Sequence, residues 1–416
     1  MSEHSASPPP SLQASHDHRD EVHDSPLYHS HDTPHSHSHS HSHSHPPQGD
    51  DSEEKAYVNR ILRVFATYGQ RTLATNQRRK EQFALLPPAH RQLLPKYMNT
   101  LLRLDEAIHV NASVLALISE ETRIFANEEP DDQIHHHEEK DSASTKPPHP
   151  FFPTQEEMDK LSSTLKQMVR DWSTDGEHER AACYHPLLEA LEREFQDLTP
   201  DEKAKKRVLI PGAGLGRLVY EVAKRGFSAQ GNEFSYFMLF TSNYILNRLR
   251  KPHQLTIHPF IHHLGNHRCP EDMLRPVTLP DVLPHGPFHP GVDYSMTAGD
   301  FLEVYGQREE EIAQWDVILT CYFIDTAHNI IEYLQTIWNL LTPGGLWVNI
   351  GPLLWHFEGS LTDRSIEPTL VDVKEAARSI GFIIEEERDM EGKYASNSRS
   401  MLQYAYNCAF WCARRP

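Results

Sequence analysis

The stretch Arg207-Val208-Leu209-Ile210-Pro211-Gly212-Ala213-Gly214-Leu215-Gly216-Arg217-Leu218 decides the fold of this 416-residue chain. A short apolar run leads into three alternating glycines, and apolar residues at helical spacing follow at Leu218, Val219, Val222 and Ala223. This order predicts a strand, a glycine-rich turn and a helix, the opening of a nucleotide-binding βαβ unit. Glycine has no Cβ atom, so the backbone of the turn can bend sharply and approach a bound cofactor.

Charge and cysteine content argue against several classes of partner. The formal net charge of -19 speaks against the phosphate backbone of nucleic acid as the main partner. No apolar run is long enough to cross a membrane, so we expect no membrane association. The five cysteines are scattered and form no CxxC pair, so we expect neither a disulfide framework nor a metal site. Reduced thiols favour a cytoplasmic or nuclear location.

The chain divides into three predicted parts. Residues 1–52 are rich in His, Ser and Pro and too polar to bury a core, which predicts a disordered tail. Transition-metal buffering by the His repeats is the alternative interpretation of that tail. Residues 53–150 predict a helical N-terminal subdomain that ends in an acidic linker. Residues 151–416 form the third part, which contains the glycine-rich stretch.

Local patterns predict what surrounds the glycine-rich unit. After the break at Pro87-Pro88, one helix is predicted around Leu93 to Leu104 and a separate helix from Ile108 to Ile124. A further helix is expected to begin after Thr154 as N-cap. The insertion 251–293 is rich in Pro and His, and its length predicts a lid or a substrate wall.

An acidic residue accompanies the glycine turn. A second predicted strand, Ser228 to Glu233, places Glu233 21 residues after Gly212. An acid about 20 residues after the first motif glycine meets the ribose hydroxyls in nucleotide-binding folds. A carboxylate accepts hydrogen bonds from both hydroxyls. The alternative is that Glu233 caps the helix that follows it.

The remaining strands favour one cofactor over another. Alternating strands and helices predict a parallel sheet covered by helices, with the ligand beyond the carboxyl ends of the strands. The strands Phe382 to Arg388 and Tyr404 to Cys412 have no helix between them, which predicts an antiparallel hairpin at one edge. The glycine turn and the acid fit both NAD and S-adenosylmethionine. Gly299-Asp300-Phe301 after the third strand, Leu341 to Gly345 before the fifth and the antiparallel last strand are typical of S-adenosylmethionine-dependent methyltransferases. We therefore predict an α/β fold with a Rossmann-like class I methyltransferase sheet.

The chain from about Thr154 to Arg414 resembles the carnosine N-methyltransferase family. The residues that carry the resemblance form five motifs, namely Lys166 to Ser173, Pro211 to Arg217, Gly231 to Ser235, Phe323 to Asn329 and Gly351 to His356. These motifs are much narrower than the general methyltransferase pattern.

The resemblance implies a role for each of two groups of residues. S-adenosylmethionine would be bound by Gln167, Arg170, Gly212, Gly214, Glu233, Asp300, Phe301 and Cys321. In this group Arg170 would lie near the cofactor carboxylate, and Asp300 with Phe301 would hold the adenine. The dipeptide carnosine would be bound by Asp325, His356, Tyr404 and Tyr406.

The chemistry that these groups can perform follows from the substrate. A neutral imidazole has one nitrogen with a free lone pair, and that nitrogen can attack a sulfonium methyl group directly. We hypothesise that the catalytic Asp325 accepts a hydrogen bond from the other nitrogen and so fixes the tautomer.

Structural roles are the alternatives for the same residues. Gln167 and Arg170 can be a solvated pair on one side of a helix, and Asp325 can be a helix N-cap. His356 can be a core histidine. Tyr404 and Tyr406 alternate on the predicted strand and share a face, where they can both reach one pocket or simply belong to the core.

Two other functions remain open at this stage. The same pocket could methylate a histidine in a protein or peptide instead of the free dipeptide. A protein from another class, a non-catalytic binding protein on a methyltransferase fold, is the second alternative, and an NAD-dependent dehydrogenase is the weakest. A homodimer is also considered.

Overall fold

The computed structural model describes residues 51–125, 151–306, 308–360 and 362–416. The predicted tail therefore lies outside the described residues except for its last two positions, which begin the first helix. Most of the predicted acidic linker also lies outside them.

The described chain alternates helices and strands after an all-helical beginning. The helices are α1 (Asp51–Ala84), α2 (Pro88–Leu93), α3 (Tyr97–Phe125), α4 (Gln155–Trp172), α5 (Glu177–Glu194), α6 (Pro200–Ala204), α7 (Arg217–Lys224), α8 (Tyr236–Arg248), α9 (Pro270–Leu274), α10 (Phe301–Tyr305), α11 (Ile330–Leu340) and α12 (Leu370–Ile380). The strands are β1 (Arg207–Pro211), β2 (Ser228–Glu233), β3 (Leu255–Ile257), β4 (Val277–Leu279), β5 (Tyr294–Ala298), β6 (Trp315–Cys321), β7 (Leu341–Gly351), β8 (Ile383–Gly392) and β9 (Tyr406–Arg414). Among these helices, none combines the length and the apolar character that a membrane span requires.

Seven strands form the central sheet in the order β5-β2-β1-β6-β7-β9-β8. Strands β5, β2, β1, β6 and β7 pair in parallel, whereas β9 is antiparallel to both β7 and β8. The predicted antiparallel hairpin is confirmed. Strand β8 forms the edge of the sheet, and β9 lies between β7 and β8. The strand order changes direction between β1 and β6, which is where an open α/β sheet leaves a crevice for a ligand.

The bounds predicted for β2, Ser228 to Glu233, are those observed. Strand β9 begins at Tyr406 and not at Tyr404, because its pairing with β8 starts at Gly392 opposite Tyr406. The residues between them, 393–405, form a connector of bends and turns.

The N-terminal helices form a layer against the sheet domain. The two helices predicted after Pro87-Pro88 are one continuous helix, α3, because Asp105-Glu106-Ala107 between them contains no helix breaker. Leu62 of α1, Leu104 of α3, Leu165 of α4 and Ile245 of α8 are all fully buried and belong to one apolar cluster. The layer therefore supports α4, which begins as predicted at Thr154, with a capping box to Glu157.

The insertion after α8 packs against the helical layer. It contains the two-stranded β3–β4 sheet, and its His258 backbone N–H and C=O bond the Asn111 side chain at 2.7 and 2.9 Å. No described residue of the insertion lines the main cavity. The expectation of a lid or substrate wall was wrong, because the apolar residues of the insertion complete the core instead.

Candidate active site

The main cavity opens at the carboxyl ends of β1, β2 and β6, beside the change in strand direction. Helix α4 forms the opposite wall through Lys160, Thr164, Gln167 and Arg170, and α1 contributes Tyr57. Every residue predicted to bind the cofactor lines this cavity, namely Gln167, Arg170, Gly212, Gly214, Glu233, Asp300, Phe301 and Cys321.

The glycine turn lies close to its neighbours on two sides. Gly212 has φ +67°, and a Cβ atom there would lie 2.7 Å from Cδ2 of Phe323. Gly214 has φ +56°, and its N–H donates to Oε2 of Glu233 at 2.8 Å. The positive φ angles and the close approach explain why glycine occupies both positions.

Glu233 is held by backbone donors at the end of β2. Besides the Gly214 N–H, its Oε1 accepts from the N–H groups of Phe234 at 3.0 Å and Ser235 at 2.8 Å. The carboxylate thus joins the glycine turn to the start of α8. The alternative, that Glu233 caps α8, accounts for its bonds to Phe234 and Ser235 but not for its bond to Gly214. Burial raises its pKa, and the three N–H donors oppose that rise.

Arg170 is buried on the wall formed by α4. Its Nη1 donates to Asp171 Oδ1 at 3.1 Å and to the Tyr184 hydroxyl at 2.9 Å, and its Nη2 donates to Cys183 Sγ at 3.2 Å. Its Nε is buried without a hydrogen-bond partner among the described residues. A buried, unused guanidinium N–H suits an anionic ligand such as a carboxylate. The solvated-pair alternative was wrong, since Gln167 and Arg170 are each only 3% exposed.

Asp171 was missed by sequence reasoning, although it lies inside a motif quoted above. Its carboxylate accepts from Gln167 Nε2 at 3.1 Å, from Arg170, from the Tyr184 hydroxyl at 3.0 Å and from the Leu215 N–H at 3.3 Å. It orients Gln167 and Arg170, two of the α4 residues that line the cavity, and ties them to the glycine turn.

Asp300 and Phe301 lie together after β5. Oδ1 of Asp300 caps α10 by accepting from the N–H groups of Leu302 at 2.8 Å and Glu303 at 3.2 Å. The ring of Phe301 meets those of Phe323 and Tyr333 edge-on, with centroids 5.3 and 5.2 Å apart. Tyr333 also lines the cavity, and its sequence signal was only that of a core position on a helix.

Cys321 ends β6 on the cavity wall. Its Sγ is 3.9 Å from Nη2 of Arg170, the same nitrogen that bonds Cys183. The site therefore brings two thiols to one guanidinium, with Cys183 fully buried behind Cys321.

Asp325 lies in a single 3-10 turn, Ile324–Thr326, and is 3% exposed. Its Oδ2 accepts from the Leu354 N–H at 2.9 Å, and its backbone carbonyl accepts from the His356 N–H at 3.1 Å. The N-cap alternative was wrong, because Asp325 lies inside this turn and the helix that follows, α11, is capped by Asn329. Asp325 does not itself line the cavity, whereas Thr326 and His356 do. Burial raises the pKa of Asp325 to about 6.

His356 follows the segment that Asp325 holds and lies on the cavity wall. Burial lowers its pKa to about 4, so the imidazole is neutral at physiological pH. His328 lines the same region, and its ring stacks on Phe357 with centroids 3.5 Å apart.

The two C-terminal tyrosines are not placed as the sequence suggested. Tyr404 is 41% exposed in the connector, and Tyr406 begins β9 with its ring 6.2 Å from that of Tyr322. Neither lines the cavity, and they do not share a strand face because only Tyr406 is in the strand. Tyr394 from the same connector lines the cavity instead, and a tyrosine in a loop gave no sequence signal.

Comparison with known proteins agrees with this geometry. The family model described as carnosine N-methyltransferase matches residues 148–416. A carnosine N-methyltransferase of Mus musculus is 39% identical over 374 residues, which cover 89% of this chain and 88% of the mouse protein. A carnosine N-methyltransferase of Schizosaccharomyces pombe is 37% identical over 380 residues, 88% of this chain and 97% of the yeast protein.

Solved structures resemble the chain more distantly. Phosphoethanolamine N-methyltransferase 2 of Haemonchus contortus, solved with S-adenosyl-L-methionine, is 16% identical with a TM-score of 0.33. That match covers 61% of this chain and 60% of the other.

The sheet and the cavity at its change of direction define a Rossmann-like class I methyltransferase. Within that class, the chain belongs to the carnosine N-methyltransferase family.

The raised pKa of Asp325 predicts a pH-dependent effect on stability. The pKa of the Asp325 carboxyl is about 6 in the folded protein, against an ordinary value of 3.8, so its ionisation destabilises the fold and this penalty grows as pH rises through that window. Asp325→Asn keeps an acceptor for the Leu354 N–H but carries no charge. We expect its free energy of unfolding, relative to the wild type, to increase by roughly 1 kcal/mol from about pH 5 to about pH 8.

Urea unfolding of both proteins at the two pH values measures this difference. Asp389→Asn removes an equal charge from an exposed position on β8 and serves as the control. A difference between Asp325→Asn and the wild type that is the same at both pH values would contradict the prediction.

Proposed function

We propose that this protein transfers the methyl group of S-adenosylmethionine to an imidazole nitrogen of the histidine in carnosine, giving anserine and S-adenosylhomocysteine. The observation that carries the proposal is one continuous cavity. Its wall joins Arg170 and Glu233, which suit an amino-acid nucleoside, to His356 and the segment held by Asp325. Membership of the carnosine N-methyltransferase family supports the same substrate.

The residues present fit S-adenosylmethionine. The unpartnered Nε of Arg170 would bind the methionine carboxylate, and Gln167 and Cys321 would border that end. A side chain at Gly212 would collide with Phe323, and the positive φ angles of Gly212 and Gly214 disfavour any residue that has a Cβ atom. Glu233 would accept hydrogen bonds from the ribose hydroxyls, either in addition to those from its backbone N–H donors or as replacements for them.

The adenine end of the cavity has both polar and apolar groups. Asp300 uses one carboxylate oxygen for its cap bonds, so the other would accept from the adenine amino group. Phe301 and Tyr333 would supply aromatic contact to the ring. When bound, S-adenosylmethionine supplies an electrophilic methyl group on a sulfonium.

Asp325 and His356 would orient the imidazole that accepts the methyl group. The Leu354 N–H fixes one oxygen of Asp325, and a carboxylate can accept further hydrogen bonds. Because Asp325 does not line the cavity in this structure, its side chain would have to become exposed to the cavity when the substrate binds. A bond from the substrate N–H to Asp325 would leave the other ring nitrogen as the nucleophile and would stabilise the positive ring that forms. His356, neutral through burial, would bind the polar part of the dipeptide. Tyr404 and Tyr406 stay proposed substrate contacts that would require movement of the connector 393–405.

Two further properties are proposed with the activity. All five cysteines are free thiols, which supports a cytoplasmic or nuclear location. Helix α2 buries none of its residues, its Leu93 is 79% exposed, and the neighbouring Leu85 and Leu94 are 85% and 51% exposed. This apolar patch supports a homodimer through a second copy of the same surface.

Mass spectrometry of carnosine incubated with the protein and S-adenosylmethionine tests the activity. We expect carnosine to gain one methyl group, with omission of S-adenosylmethionine as the control. A histidine-containing peptide in a parallel reaction tests the alternative acceptor. Methylation of the peptide without methylation of carnosine would overturn the proposed substrate, and failure to bind S-adenosylmethionine in calorimetry would favour a non-catalytic binding protein.

Asp325→Asn is expected to lower kcat by roughly 10²-fold or more, because the amide no longer fixes the tautomer or balances the positive ring. The steady-state rate with carnosine measures the effect, and Asp389→Asn is the control for loss of charge. A kcat close to that of the wild type would exclude the orienting role.

Replacing Leu93 and Leu94 together by Ser is expected to shift a dimer toward the monomer, because both exposed side chains would lose their apolar contacts. Light scattering after size-exclusion chromatography gives the mass of each species. A mass that is the same in variant and wild type would place any interface elsewhere.

A further inference from the structure

Tyr322 has an unusual backbone at the centre of the site. It follows Cys321 at the end of β6 and has φ +53°, in the left-handed region that residues other than glycine rarely adopt. Such a conformation is unfavourable for a residue with a Cβ atom and persists only where the surroundings impose it. Tyr322 also lines the main cavity, so the strain lies on the functional surface.

Two glycines make room for this residue. A Cβ atom on Gly351 would lie 3.2 Å from the backbone nitrogen and Cα of Tyr322, and one on Gly392 would lie 2.3 Å from its hydroxyl oxygen. The Tyr322 N–H donates to the Ile350 carbonyl at 2.8 Å, and its hydroxyl oxygen accepts from the Cys408 thiol at 3.2 Å. Strands β7, β8 and β9 therefore hold both the backbone and the tip of the ring.

The ring of Tyr322 belongs to an aromatic wall beside Arg170. Its centroid is 5.0 Å from that of Tyr394, which also lines the cavity. The guanidinium carbon of Arg170 is 4.7 Å from the Tyr394 centroid, 5.0 Å from that of Tyr184 and 5.8 Å from that of Tyr322. Cation–π attraction is significant within about 6 Å of a centroid, so Arg170 engages Tyr322 least of the three rings.

The carboxylates of the cavity lie elsewhere. Among the described residues that line it, the acidic side chains are Glu233 and Asp300, which border the proposed ribose and adenine positions. The end of the cavity beside Arg170 is lined by aromatic rings and by no carboxylate among the described residues. A cationic group of a ligand at this end would therefore contact rings and not an acid. Asp171 is close, but four donors already occupy its carboxylate.

We propose that Tyr322, supported by Tyr394, is a positioning residue that binds the sulfonium of the methyl donor through the face of its ring. The inference rests on the proposed function. During transfer the C–S bond breaks with its electron pair left on sulfur, and the imidazole lone pair forms the new C–N bond. The positive charge thereby leaves sulfur for the imidazole ring, and this step moves no proton. An aromatic wall can attract the charge at both positions without forming an ion pair.

The proposal predicts a selective change in ligand affinity. S-adenosylmethionine carries the sulfonium, whereas S-adenosylhomocysteine is a neutral thioether of nearly the same shape. Tyr322→Leu is expected to raise the Kd for S-adenosylmethionine by about 3- to 30-fold and to leave that for S-adenosylhomocysteine unchanged. Tyr322→Phe keeps the ring and is expected to keep the wild-type ratio of the two constants.

Isothermal titration calorimetry with both ligands on the full chain measures the ratio. Cys408→Ala removes the thiol bond to the hydroxyl but retains the ring, and is the matched control with an unchanged ratio. If Tyr322→Leu does not fold, variants that carry phenylalanine with an increasing number of fluorine atoms at position 322 are measured instead. A stepwise loss of affinity for S-adenosylmethionine, with no loss for S-adenosylhomocysteine, would then support the proposal.

An equal loss of affinity for both ligands, or an unchanged ratio of the two dissociation constants in the fluorinated series, would overturn the role of Tyr322. Neither result would contradict the proposed methyl transfer. A wild-type protein that binds neither ligand would overturn both the role and the proposed function. The two failures are thus distinguishable.

Discussion

The buried carboxylate of Asp171 is the interaction on which the site depends. It is fully inaccessible to solvent and accepts hydrogen bonds from α4, from Tyr184 of α5 and from the Leu215 N–H of the glycine turn. Its own backbone carbonyl accepts from Arg217 of α7 at 2.9 Å. Removing one partner of such a buried ion pair leaves an uncompensated charge, which is far more costly than losing an exposed pair. The position of Arg170 in the cavity follows from this bond network.

The helical layer extends that constraint to the start of the described chain. Arg60 of α1 forms two bonds to Glu157, at 2.6 and 3.2 Å, and Glu157 also closes the capping box that begins α4. Tyr57 of α1 packs edge-on against Tyr236 of α8, with centroids 5.8 Å apart, and both line the cavity. The wall of the cavity is therefore shaped in part by residues far in sequence from the glycine turn.

Local rules were sufficient for the elements that bring the glycine turn, Glu233 and Asp300 to the cavity. The alternating glycines, the acid at Glu233 and the aspartate at Asp300 each follow a buried strand, and parallel strands bring their carboxyl ends to one edge. The sequence could not reveal contacts that a side chain makes with a distant partner. Asp325 bonds Leu354, which no local pattern reveals. Tyr404 depends on where pairing with β8 begins, and the strain at Tyr322 comes from strands that are adjacent only after folding.

The position of the connector that carries Tyr394 determines when part of the cavity wall can form during synthesis. It joins β8 to β9, near the end of the chain, and β9 inserts between β7 and β8. On the ribosome the glycine turn and α4 are complete long before this connector emerges. The part of the cavity wall that Tyr394 contributes can therefore form only after β9 has been synthesised and has paired between β7 and β8.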